Sequence, residues 1–321
     1  MKRVRSRGPF FLWEMVMAFW AMLALSAGLT TSQAQAQAPV QSQAPASTVA
    51  PSQVEDVEVV ARMRAAQVRE RVDAFIETNM APAPGRPLAR WNKPVCVATA
   101  YLSPQYAQAV IDRVASRIIE AGGDVAGPGC KADVMIVGSE NGAESAKTLV
   151  QSDPRGFRPS RSATDRGSAA LRRFQEGEVP VRWWHVSLPV NIDTGELAVH
   201  LDGEDYPTNT VRDASRLRTN VRDDLARIVI IVDFSKTANI RMSALSDYVA
   251  FVALAQVNPD GDTSGQDTIL NLFANPENIT ELSQWDRDYL AGLYKAVPNR
   301  PNVRQQARGI AEEVIRQRNG R

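Results

Sequence analysis

Cysteine and histidine are scarce in this chain, with two of each in 321 residues, and a Cys-rich miniature scaffold is thereby excluded. Glycine and proline stand at 19 each without a fixed period, which excludes a collagen-like chain. Neither sign of charge is in excess, 37 Lys+Arg facing 36 Asp+Glu, so there is no global electrostatic pull toward nucleic acid and no nucleic-acid partner is expected. The sequence also lacks a Walker loop, a dinucleotide fingerprint and a Cys-x-x-Cys pair, which speaks against nucleotide and redox cofactors. What is present, 44% hydrophobic and 23% charged residues, is the composition of a folded globular chain.

Only one apolar run approaches membrane length, and it lies at the start. Lys2, Arg3, Arg5 and Arg7 precede an uninterrupted run from Met15 to Leu25, and Ala34-Gln35-Ala36 follows. That order reads as a secretory signal peptide over residues 1–36. A membrane span is the rival reading, but the run after Glu14 is about half of the roughly 20 residues a bilayer needs. Ala38 also ends an Ala-x-Ala, but Pro39 would then follow the cut, so Ala36 is the better site. Cleavage there removes four basic residues and one acidic one, turning the formal charge from +1 to −2. A periplasmic or secreted protein with no membrane span after cleavage is expected, preceded by a flexible Ala/Gln/Pro leader over residues 37–53.

Residues 54–321 read as a single globular domain. Val57, Val60, Ala61, Val68, Val72, Phe75 and Ile76 recur at helical spacing up to about Asn79, and Pro82, Pro84, Gly85 and Pro87 break that helix. Val95 to Tyr101 is a short β-rich run. After Ser103 come two adjacent apolar stripes of a helix, Gly122-Gly123 ends it, and Ala132 to Val137 is a second strand of the covered-sheet type. This is a βαβ unit. Its right-handed crossover puts Cys96 and Cys130 at the same edge of neighbouring strands, which predicts a disulfide of about 3–4 kcal/mol in an exported chain. Two separate reduced core thiols are the alternative.

Residues 140–178 read as an irregular excursion containing Arg155, Arg158, Arg161, Arg166, Arg172 and Arg173. An anion could dock there, or the arginines could pair with carboxylates elsewhere. Val181 to Val190 is a strand carrying Arg182, Trp183, Trp184 and His185, whose twin aromatics suit a wall beside a groove; packing of one Trp in the core and one at the rim is the plainer alternative. Residues 191–226 read as acids, turns and polar residues, with Asp202-Gly203-Glu204-Asp205 as the sharpest cluster. Ile228 to Val232 is a buried strand, and Leu245 to Val257 a helix apolar on every side, which must be buried on every side. Ser283-Gln284-Trp285-Asp286 is a capping-box variant opening another helix. A last amphipathic helix runs from about Asn302 to Arg318, and could dock a partner in a purely structural envelope protein.

This element order, closed by Leu282-Ser283-x-x-Asp286-x-x-x-Leu290-x-x-Leu293-Tyr294, resembles the layout of zincin-type metallopeptidases over roughly residues 90–296. It also resembles a group of uncharacterised exported bacterial proteins with the same arrangement. The resemblance implies an α/β fold, a mixed sheet with packed helices, flanked by N- and C-terminal helices. It also implies that the apolar helix stands where the family carries His-Glu-x-x-His. That chemistry needs two imidazoles one turn apart and a carboxylate between them. Here the helix reads Ser246-Asp247-Tyr248-Val249-Ala250-Phe251-Val252-Ala253-Leu254, without histidine.

Other constellations are weaker. Gly138-Ser139-Glu140-Asn141-Gly142 has its serine one place too early for a nucleophile elbow. Asn258, Asp260, Asp262 and Ser264 place oxygens at alternate positions as a calcium loop does, but Thr263 and Ile269 stand where Gly and the bidentate Glu belong, and turn chemistry explains the same residues. The expectation is therefore an exported, non-catalytic binding protein that uses Arg182, Trp183, Trp184 and His185 to hold a peptide or cell-envelope component along an edge strand. A metal-independent hydrolase centred on His185, or less directly on His200, is the alternative. A serine or carboxylate beside His185 in an open cleft would favour the enzyme; a buried imidazole bonded to main chain would favour the binder.

Overall fold

In the computed structural model the described residues are 51–161, 164–207 and 218–320, with side chains described from residue 60 onward. The signal peptide and most of the leader lie outside them. The described chain is an α/β fold of eight helices and one mixed four-stranded sheet. In order these are α1 (Pro51–Asn79), β1 (Val97–Ala100), α2 (Pro104–Ala121), β2 (Val134–Ser139), α3 (Gly142–Ser152), α4 (Pro154–Phe157), α5 (Gly167–Glu176), β3 (Val181–Asn191), β4 (Val221–Asp233), α6 (Met242–Leu254), α7 (Gln284–Lys295) and α8 (Val303–Asn319). Helix α1 starts at Pro51, so residues 51–53 belong to it rather than to the leader.

The strand order is β1-β2-β4-β3, parallel throughout except for β3, which runs antiparallel to β4 and forms one edge. The βαβ unit β1-α2-β2 is present, and Cys96 and Cys130 form a disulfide with their Cα atoms 5.9 Å apart. Ile228, Ile230 and Trp183 face a large core shared with α1, α2, α6, α7 and α8, whereas Val229, Ile231 and Trp184 face a smaller one. The near-continuous apolar runs of β2 and β4 follow from burial on both faces.

The second face is covered by the Arg-rich excursion, and here the expectation of irregular chain is corrected. Residues 142–176 hold α3, α4 and α5, whose Ala146, Phe157, Ala170 and Phe174 fill the smaller core. The apolar positions are few and interrupted by short capped breaks: Asn141 accepts from the Glu144 amide and Asp153 from the Gly156 amide. A second correction concerns residues 221–226, which extend β4 upstream. Asp223 sits buried in this strand because the Arg86 guanidinium, 137 residues away, binds both its oxygens at 2.8 and 2.9 Å.

Helix α6 has every residue from Ala244 to Leu254 buried. It lies between the sheet and an outer layer in which Phe75 of α1 meets Phe251, Trp285 and Tyr289 edge-on at 4.9–6.4 Å between ring centres. Its one acid, Asp247, is fully buried and bound by Arg113 and Arg117 of α2 and by the Leu282 amide. The capping box of α7 is complete, Ser283 and Asp286 each accepting from the other's amide. The apolar side of α8 is spent against α1 and α7: Ile310 and Val314 are fully buried, and a Cβ at Gly292 of α7 would come within 2.9 Å of Val314. The apolar side of α8 is thus packed within the molecule.

Candidate functional site

Strand β3 is paired on one side only. The Asp233 amide donates to the Pro180 carbonyl at 2.8 Å, and the register runs unbroken from Val181↔Val232 to Val186↔Arg227. In an antiparallel ladder bonded and non-bonded pairs alternate, so Arg182, Trp184 and Val186 bond β4 while the N–H and C=O of Val181, Trp183 and His185 point outward. Among the described residues no group hydrogen-bonds those outward atoms. The free stretch is short. Beyond it the Ser187 amide donates to Thr164 O and the Ala198 amide to Pro189 O.

A cavity of about 460 Å³ wraps this free edge, within the range of ligand clefts. One wall is α5, through Arg166, Ala170, Arg173 and Phe174. The other is Tyr248 of α6 with Val257, Pro259, Asp260 and Phe273. Arg182, Trp183, Trp184 and His185 all line it. The twin tryptophans do not form one wall, however, and neither sits at the rim. Successive strand residues point to opposite faces, so Trp183 packs edge-on against Tyr248 at 6.1 Å and donates to Val257 O, while Trp184 packs against Phe174 at 6.0 Å and donates to Phe157 O.

His185 is buried, and its Nε2 lies 2.8 Å from Val252 O, with the Ala255 main chain as a second hydrogen-bond partner. Desolvation dominates over these bonds and pushes its pKa down to about 4. The imidazole is therefore neutral at neutral pH and donates its proton to main chain. Among the described residues no hydroxyl or carboxylate hydrogen-bonds it. His200 stacks on Tyr206 at 4.0 Å between ring centres and meets Glu204 O, and it is not among the residues lining this cleft.

Arg182 is 3% exposed; its Nη1 donates to Phe174 O at 2.9 Å, while Nε and Nη2 have no hydrogen-bond partner among the described residues. The oxygens considered for calcium are otherwise engaged. Asn258 Oδ1 accepts from Arg166 and from the Asp260 amide, Asp260 faces Arg166 and Arg173, and Asp262 Oδ1 accepts from the amide and hydroxyl of Ser264. Among the described residues no three His, Cys, Asp or Glu side chains are grouped to hold a metal ion, and no helix is long and apolar enough to cross a membrane.

One feature escaped sequence reasoning: the partners of Asp247 are 130 and 134 residues away. The pairing of excursion arginines with carboxylates elsewhere is one of the two expectations for that segment, and Arg166 and Arg173 do face Asp260. The sequence does not name that partner, whose segment is about as remote as Asn258 is from Arg166, 92 residues apart. Comparison of the chain with protein-family models, with curated proteins and with solved structures finds no match.

Proposed function

We propose that this is an exported, non-catalytic protein that binds an extended peptide, such as a segment of an envelope component, by adding it as a fifth strand beside β3. The scaffold is read as zincin-like, with the stretch Ser246 to Leu254, which holds no histidine, standing where that family carries its metal-binding turn. The observation that carries this reading is the outward, unbonded main chain of Val181, Trp183 and His185 opening on a cavity. Main-chain bonds of this kind recognise extended peptides, and flanking pockets select alternate side chains. The disulfide and the basic and apolar amino terminus support export.

His185 supports binding over hydrolysis, since its proton is directed at main chain rather than at a nucleophile. The test uses Val181→Pro, which removes an outward N–H and leaves the β4 ladder intact. Short peptides selected from a random library against the wild type are expected to bind this variant on the order of tenfold more weakly. Unchanged affinity would overturn strand addition at this edge.

A further inference from the structure

Across the mouth of the cleft one carboxylate is shared by two guanidinium groups. Asp260 Oδ2 lies 3.7 Å from Arg166 Nη2 and 3.5 Å from Arg173 Nε, and neither contact has hydrogen-bond geometry. Asp260 and Arg173 are each more than half exposed. A guanidinium is built to grip a carboxylate through two parallel N–H bonds near 2.8 Å, and Asp260 gives neither arginine that grip. The pairing spans the free edge, from α5 on one side of β3 to the loop after α6 on the other.

The remaining charges of the cleft do not offset these cations. Its lining carries Arg166, Arg173 and Arg182 against Asp260 and Glu176; Arg182 is met by Asp233 and Glu178 from outside the lining, so setting Asp260 aside leaves Arg166 and Arg173 facing Glu176, an excess of one positive charge. Arg166 is also under-compensated: burial lowers its pKa, and Asp260, the main opposing influence, does not restore it. The buried Arg182 also lines the cleft, but its unpartnered Nε and Nη2 lie against Gly142 beside Asp233, so they are not counted toward the mouth. An added strand would present alternate side chains to the two faces of the sheet, one set to the aromatic wall of Tyr248, Trp183 and Phe273 and the other toward α5.

From this geometry we infer that the cleft selects extended peptides carrying an Asp or Glu side chain beside an apolar one, and that Asp260 is an internal stand-in which the peptide carboxylate displaces from Arg166 and Arg173. The inference rests on strand addition at β3 and deepens it. Asp260 then competes with the peptide carboxylate for the two guanidinium groups, whereas a neutral peptide, which has no carboxylate to exchange for it, gains nothing from its removal.

The experiment selects a random heptapeptide library against the folded protein and three variants, Asp260→Asn, Arg173→Gln and Arg166→Gln, and titrates the winning peptides against Glu→Gln twins. The wild type is expected to enrich Asp or Glu at one position and to bind the acidic peptide about tenfold tighter than its neutral twin at low salt. Asp260→Asn is expected to strengthen acidic peptides several-fold and leave neutral ones unchanged, whereas Arg173→Gln removes the preference. Arg166 also holds Asn258, so the exposed Arg173 decides the matter if the Arg166 variant misfolds. Peptides bound without acidic preference, yet weakened by Val181→Pro, would overturn this inference and leave strand addition standing. No enriched peptide for the wild type or for Asp260→Asn would overturn both.

Discussion

Three buried ionisable side chains illustrate how single residues couple to the rest of the molecule. His185 titrates near 6.5 in an unfolded chain and near 4 in this fold, because burial disfavours its charged form. The unfolded state takes up the proton first, so the stability that His185 contributes is complete above pH 6.5 and is lost as pH falls toward 4. Asp286 acts in the opposite sense. Burial pushes its pKa up to about 6 despite bonds from Thr268, Ile269 and Ser283, and its folded form gains relative to the unfolded one as pH falls below that value. The wild-type pH profile alone mixes both effects, and the difference from His185→Gln isolates one. Urea unfolding of the two proteins should show the wild-type advantage shrinking by about 3 kcal/mol from pH 7.5 to pH 4; a constant difference would contradict a neutral buried imidazole. Asp247 is the third case. Desolvation would raise its pKa, but hydrogen bonds from Arg117, the Leu282 amide and Arg113 outweigh it and hold the carboxylate ionised. Asp247→Ala leaves the Leu282 amide without its acceptor and the Arg117 guanidinium with only the more exposed Glu120 and Glu281, and unfolding measurements should show a loss of about 2–3 kcal/mol. A loss below 1 kcal/mol would show that water replaces the carboxylate.

At the scale of elements, local patterns identified those parts whose burial follows a regular period. The two stripes of α2, the all-apolar α6 and the capping box of α7 each carry their fate in adjacent residues. The upstream half of β4 and the helices of the excursion do not. Val221, Asp223 and Leu225 read as polar loop because the charge of Asp223 is compensated by a residue far away in the chain, and α3 to α5 are short helices held by a sheet face that the local sequence does not announce. Of the site, the stretch Arg182 to His185 was legible, but its edge position came from strand order and its arginine span from tertiary pairing. Close packing between elements is likewise invisible in the sequence. Gly292 lets α7 approach Ile310 O and Val314 of α8, distances of 3.1 and 2.9 Å from where a Cβ would stand. Alanine there improves helix propensity by up to about 1 kcal/mol but forces the helices apart. A net destabilisation of about 1–2 kcal/mol in chemical denaturation is expected, and an equally stable Gly292→Ala would show that the α7–α8 contact yields freely.

For the molecule as a whole, packed helices close both sheet faces among the described residues, β1 and β3 are the two edges, and on β3 the stretch from Val181 to His185 is left open within a cavity. The large core and the smaller one cover the two faces, and segments near Thr164 and Ala198 cover β3 beyond His185. Exposed edges are ordinarily blunted because they recruit other strands; here the open stretch lies inside a cavity guarded by charge. The most direct test is residue-resolved amide hydrogen exchange of the free protein and of its complex with a library-selected peptide. Val181, Trp183 and His185 are predicted to slow by at least about tenfold on binding, while Arg182 and Trp184, already bonded to β4, stay unchanged. Protection that falls equally on all five, or that leaves the three outward amides as they were, would contradict the account.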